Sequence, residues 1–409
     1  MNKKIFFRVI LALVILVFTV VALPMTYMYL TEPREYAYRE LMWNESDIYD
    51  FERFPYREIQ NAPQVTRFNE KPNPSLFQTI EYKRGGKVQS ADFEDFMTRT
   101  GTTAFIAVHD DNLLYENYYN GFQRNGWFTS FSTAKSIISA LVGIAVDEGL
   151  IDDINDPFVK YLPELAGRGL DKMTIKHLLT MSCGYQFTTS ESYFYTFSFL
   201  SDEARAYYFP DLRALMQMKL RPVKQEVGSC FLYNDYAPVL EGMILERVTG
   251  MTVSAYLQEK IWGPLGMEYP ARFSIDSQAS GFEKMSAGFN ARAIDYAKFG
   301  QLFLKKGNWN GKQIISEAWV KESTTLDPSD QRPWLIYDDF RQEQGYYKYH
   351  WWGKLRENGL YDYMAIGHLN EYIFIRPDQN LVIIRLGTEK GPDVNWPQVF
   401  QSMADKIKE

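Results

Sequence analysis

From Val9 to Leu30 the chain runs 22 residues without a charged side chain, and no other feature restricts its folding so sharply. In hydrocarbon every backbone N–H and C=O needs an internal partner, so an isolated run of this kind can only be a helix, and roughly 20 residues suffice to cross a bilayer. Lys3, Lys4 and Arg8 precede the run, whereas Glu32, Arg34 and Glu35 follow it. The positive-inside rule then makes residues 1–8 a cytoplasmic N-terminus and 9–30 a single-pass signal-anchor in the cell (inner) membrane, with the rest of the chain exported. A cleaved leader is the competing reading, with Val20-Val21-Ala22 as its cleavage site. Continuation of the run past Ala22 and Pro24 favours the anchor, and either reading places the body on the periplasmic or extracytoplasmic side.

The body itself excludes several classes. The whole chain's 44 Lys and Arg against 51 Asp and Glu give a net charge of −7, a poor match for a phosphate backbone, so nucleic acid is not an expected partner. The four histidines, His109, His177, His350 and His368, lie far apart, with no HExxH and no paired-cysteine spacing, so no metal is expected. No GxGxxG or GxxxxGK[ST] occurs, and no cofactor is expected.

Residues 31–75 mix charge, aromatics and proline without sustained periodicity and read as a stalk or N-terminal arm. Thr103 to Val108 and Leu113 to Tyr119 are β-rich runs around His109-Asp110-Asp111-Asn112, a hairpin pattern. Helical patterns follow at Ser132–Glu148, Thr174–Met181, Tyr236–Thr249 and Ala291–Lys306, the last two ending on Gly250 and Gly307. Strand patterns return at Tyr361–Ile366, Tyr372–Arg376 and Leu381–Leu386, and a last amphipathic helix spans about Trp396 to Lys408. The expected fold is mixed α/β (α+β). An antiparallel sheet is built from about 76–125 and 331–409, flanked by helices, with a mainly helical insert at about 126–330.

The sharpest chemical signal is Phe131-Ser132-Thr133-Ala134-Lys135-Ser136 at the head of an apolar helical pattern. Ser132 and Lys135, three apart, share one helix face. Burial would lower the Lys135 pKa and make the amine a usable base, while the helix start would favour a developing oxyanion. The plain alternative makes Ser132 a helix N-cap and Lys135 a surface residue.

Further motifs decide between these. Cys230-Phe231-Leu232-Tyr233-Asn234-Asp235 precedes the helix running to Gly250, and Gly367-His368-Leu369-Asn370 precedes the Glu371–Arg376 run. With Ser132-x-x-Lys135, these resemble in order the three motifs of the serine β-lactamase and penicillin-binding-protein superfamily, in its class C-like branch of esterases, D-amino-peptidases and 6-aminohexanoate-dimer hydrolases. The resemblance runs from about Thr103 to Leu386. It implies a β-lactamase/transpeptidase-like fold and a serine hydrolase with Ser132 as nucleophile and Lys135 and Tyr233 as the proton-handling pair, the base between them left open. It places His368, Asn370, Glu371 and Asp235 toward the substrate and the oxyanion, the oxyanion donors being the N–H of Ser132 and of a residue near Glu371. Asp235 stands where Asn is usual, His368 at a Lys position and Asn370 at a Gly position.

The substrate is then a small molecule or peptide, cleaved at an ester or amide bond. A D,D-peptidase, carboxypeptidase or β-lactamase is the enzymatic alternative, and a catalytically inactive sensor or envelope binding protein the non-enzymatic one. Tyr185 to Phe209 carries ten aromatics, including Phe194 and Tyr195. It reads as a lid over the site, a segment packed on the body, or one resting at a bilayer interface. Cys183 and Cys230 are the only cysteines, open to a disulfide or to two buried thiols; the resemblance puts both beside the site, where a disulfide would brace it.

Overall fold

A computed structural model describes residues 3–43, 45–84, 87–193, 197–388 and 394–408. The apolar run lies in one helix, α1 (Lys4–Thr31), long and apolar enough to cross a membrane, with a π-helical stretch at Phe18–Ala22. Pro33 cannot continue its hydrogen bonding, and a new helix, α2 (Arg34–Trp43), starts at once. The arm then crosses the body. Tyr56–Ile59 (β1) pairs with one sheet and Asn69–Glu70 (β2) with another.

The hairpin forms as Thr102–His109 (β3) and Asn112–Tyr118 (β4). Its two turn residues, Asp110 and Asp111, both adopt positive φ, the conformation a two-residue hairpin of this twist requires and Asp tolerates. Chain order continues through Phe128–Thr129 (β5), helix α3 (Ala134–Asp147), α4 (Asp202–Tyr208), α5 (Leu212–Lys219) and α6 (Tyr236–Thr249). Two short strands follow, Ala271–Ser274 (β6) and Phe289–Ala291 (β7), then α7 (Ala293–Leu304). The last third supplies Gly345–Lys348 (β8), Trp351–Leu355 (β9), Tyr361–Gly367 (β10), Glu371–Arg376 (β11), Leu381–Gly387 (β12) and α8 (Trp396–Lys408).

The main sheet has eight strands in the order β8-β9-β10-β11-β12-β3-β4-β2, antiparallel except where β2 joins β4. Its halves come from the two ends of the body, with β12 paired to β3 from Leu381↔His109 onward. Strand β11 shows how the sheet sits between layers. Tyr372 and Phe374 meet Phe400 of α8 on one face, while Ile373 and Val382 face α7 on the other. A Cβ at Gly300 of α7 would lie 2.8 Å from Val382 and 2.9 Å from Ile373, so glycine there lets the helix lie close on the sheet. The inserted region is not only helical. It holds β5, β6 and β7, which with β1 make a second sheet in the order β1-β6-β7-β5. This small sheet delivers the chain to the site.

Candidate active site

The amide of Ser130, just beyond β5, donates to Phe289 O at 2.8 Å, which fixes the chain one residue before a strained position. Phe131 has φ 42°, an outlier for a bulky side chain that costs of order 1–3 kcal/mol unless packing holds it. Packing does hold it: the ring is buried and meets the His368 ring edge-on at 5.3 Å. The turn Phe131–Thr133 is a 3-10 segment, and α3 begins only at Ala134. Ser132 therefore makes no N-cap, and the plain reading of this serine fails on geometry. Half-buried, it lies at the mouth of the helix.

Lys135 is 1 % exposed, so the surface reading fails as well. Its ammonium reaches three oxygens: Ser132 Oγ at 2.8 Å, Ser286 O at 3.1 Å and Asp235 Oδ1 at 2.7 Å. Burial pushes the amine's pKa down, as the sequence reading expected, but the Asp235 carboxylate and the Tyr233 phenol more than offset it, and the net direction is upward. The lysine is thus held as a cation instead of being poised as a free amine, a correction to the expectation drawn from burial alone. Asp235, which the resemblance places toward the substrate, pairs its carboxylate with Lys135 and keeps an edge open to solvent.

Tyr233 completes the group. The Lys135 ammonium lies 4.9 Å from its ring centroid, and both Ser132 and Lys135 act on its phenol, each favouring the ionised form. Burial raises the phenol's pKa most and Asp235 adds to this, while Lys135 opposes. Three anchors hold the segment that presents it. Cys183 and Cys230 are disulfide-bonded, resolving the open alternative in favour of the bond. The Leu232 amide donates to Met181 O at 2.8 Å. Between Tyr233 and Asp235, the buried Asn234 accepts from the Tyr185 hydroxyl at 2.7 Å and caps α6 through the Ala237 amide at 2.8 Å. Tyr185, Tyr208 and Phe209 of the aromatic segment are buried in the body; Phe194 and Tyr195 lie outside the described residues.

The third motif forms the turn His368–Asn370 between β10 and β11. Exposed His368 stands beside Phe131, and Leu369 and Asn370 both have positive φ, held by Arg385, whose Nη1 donates to both of their carbonyls at 2.7 and 2.8 Å. Asn370 thus contributes backbone to the turn. Glu371 opens β11 with its side chain 1 % exposed and Oε2 without a hydrogen-bond partner. Burial raises its pKa well above the carboxylate range. Its carboxyl is enclosed, and burial disfavours its charged form while Arg385 opposes this.

A second buried group escaped the sequence reading. Glu241, in the middle of α6, accepts from His350 Nε2 at 2.7 Å with both side chains fully buried, and His350 Nδ1 lies 2.9 Å from the Tyr347 hydroxyl. The Tyr347 ring packs at 5.9 Å against Tyr233. The signal was present as a lone acid inside Val239-Leu240-Glu241-Gly242-Met243, but its partner is 109 residues away.

A sequence-family profile described as Beta-lactamase matches residues 90–406, and the chain belongs to that family. It is 27 % identical over 318 residues to a 6-aminohexanoate-dimer hydrolase of Paenarthrobacter ureafaciens, covering 76 % of this chain and 79 % of the relative. Among solved structures, a Bacillus anthracis protein provisionally described as a 6-aminohexanoate-dimer hydrolase superposes with a TM-score of 0.76 at 24 % identity, over 90 % of this chain and 93 % of that one. An octameric penicillin-binding protein homologue from Pyrococcus abyssi gives 0.59 at 17 % identity, over 77 % and 76 %. These structural likenesses agree with the mixed α/β fold read from the sequence.

Proposed function

We propose that this beta-lactamase-family chain is a membrane-anchored, extracytoplasmic serine hydrolase that cleaves an ester or amide through an acyl-enzyme on Ser132. The observation that carries the reading is the half-buried Ser132 hydroxyl accepting from the Lys135 ammonium at 2.8 Å, with the Tyr233 ring 4.9 Å from that same ammonium. A serine is a weak nucleophile until a neighbour takes its proton. With Lys135 kept charged by Asp235, the acceptor is the Tyr233 oxygen, and the adjacent ammonium stabilises the phenolate form.

The reactive form is the one in which Tyr233 has lost its phenolic proton to solvent. In the first step Ser132 Oγ bonds to the substrate carbonyl carbon, the carbonyl π electrons move to its oxygen, and the Ser132 proton passes to the Tyr233 phenolate. Collapse of the tetrahedral species breaks the bond to the leaving alcohol or amine, which takes that proton. Water then repeats the sequence on the acyl ester, releasing the acid and restoring the Ser132 hydroxyl. The Ser132 amide and one near Glu371 are the oxyanion donors that the resemblance implies, each worth about 3 kcal/mol in comparable sites. His368, where many β-lactamases carry lysine, favours simple esters or linear amides over β-lactams, and the dimer hydrolase relative points the same way. Intact-mass analysis after exposure to a fluorophosphonate tests the reading. One adduct in the wild type, lost in Ser132→Ala, supports it; no adduct on folded protein refutes it.

A further inference from the structure

The join between α1 and the body leaves no slack. The uncharged run Val9–Leu30 rises about 33 Å as a helix, the thickness of a hydrocarbon core. Met28 therefore lies within one turn of the outer edge of that core, yet it is fully buried and belongs to the body's apolar core. The next contacts are as tight. Glu32 pairs with Arg205 of α4 at 3.0 Å and Lys219 of α5 at 3.3 Å. On α2, the Tyr36 hydroxyl donates to Phe199 O at 2.6 Å and Arg39 to Tyr208 O at 2.9 Å. A body clamped to both sides of residue 32 has no freedom to stand away from the membrane.

The surface beside this join is apolar and aromatic where solvent would otherwise meet it. Tyr29 and Leu30 of α1, Tyr38, Leu41 and Met42 on the face of α2 turned away from the body, and Met218 next to Lys219 are all exposed. Tyrosine and apolar side chains of this kind are at home in the headgroup layer. Exposed Arg221 and Lys224, just past α5, suit anionic headgroups.

We propose that the hydrolase body sits directly on the bilayer, with these exposed residues of α1, α2 and the end of α5 immersed in the lipid headgroup layer. The proposal rests on the reading of α1 as a span. The seat also adjoins the site: Arg205 lies 3.8 Å from Asp202, whose carboxylate accepts from the Tyr236 hydroxyl at 2.8 Å, one residue beyond Asp235. Orientation at the membrane and support of the second motif are therefore fixed by the same contacts.

Hydrogen–deuterium exchange of the full chain tests this, comparing nanodiscs of equal phosphatidylcholine and phosphatidylglycerol with amphipol, which wraps the span alone. Peptides covering 34–43 and 212–224 should exchange several-fold more slowly in nanodiscs, with peptides from 312–331 unchanged. Leu41→Glu with Met42→Glu should restore fast exchange at 34–43 while the chain stays in the disc. Disc-bound wild type with equal exchange in both media would overturn the seat alone. A chain that does not co-purify with discs would overturn the span reading, and the seat with it.

Discussion

Two buried acid–base pairs lie one behind the other in this molecule, and they do different work. Lys135–Asp235 keeps a solvent edge, with Asp235 19 % exposed, and spends its remaining donors on Ser132 and Ser286 O. Glu241–His350 is sealed at 0 % exposure on both sides, and its outer contact is Tyr347. Burying an ion pair is seldom a net gain in stability, but removing one partner of a sealed pair strands the other. The front pair can therefore be altered at the expense of rate, the rear pair at the expense of the fold.

The strongest way to break this comparison is Lys135→Ala. It should lower ester or amide turnover by about 10²–10⁴-fold, the usual worth of a proton-handling group, with little change in melting temperature because Asp235 reaches water. A large loss of stability with turnover preserved in the folded fraction would erase the distinction. Glu241→Ala is the mirror test. Denaturant titration should show a loss of about 3–5 kcal/mol, while the protein that remains folded still labels at Ser132.

Glu371→Gln probes a third buried acid, one without a cation at hydrogen-bonding distance among the described residues. Its folded pKa is raised, so the stability it contributes is fully present below the ordinary glutamate range and is lost as pH rises toward the elevated folded value. Each pH unit of that interval is worth about 1.4 kcal/mol. The glutamine variant should show a flatter stability–pH curve and be the more stable protein above neutrality; parallel curves would contradict the raised folded pKa.

Asp235→Asn sharpens the front pair. The Asp235 charge raises the pKa of both Lys135 and Tyr233. Whichever group must lose a proton, the acid limb of kcat/KM against pH should move to lower pH in the variant. An unmoved limb would mean that the carboxylate does not govern proton transfer. The smallest effect is expected from Tyr347→Phe, which removes one buried hydrogen bond to His350, about 1 kcal/mol of stability, and leaves the pH limb in place.

Much of this was legible beforehand. The helix Tyr236–Thr249 ends on Gly250 at φ 66°, and the hairpin turns on the two aspartates the sequence pointed to. Ser132, Lys135, Tyr233 and the third-motif turn come together as their spacing and the resemblance implied. What was not legible depends on long-range placement. The two- and three-residue strands β5 and β7 are too short to show a period. The charge on Lys135 depends on which way Asp235 turns, and the Glu241–His350 pair joins residues more than a hundred positions apart. Burial alone predicted the wrong direction for Lys135 because sequence gives the desolvation and conceals the counter-ion.

The central claim is an acyl-enzyme on Ser132, and the most direct test is to trap it. The full chain is mixed with an activated aryl ester, quenched in acid at the end of the burst, digested and sequenced by mass spectrometry. The account predicts the acyl mass on the peptide carrying Ser132, accumulation of that species in step with aryl alcohol release, and its absence in Ser132→Ala. Acyl mass on another residue, or turnover of the ester with Ser132 unmodified at every time point, would contradict it.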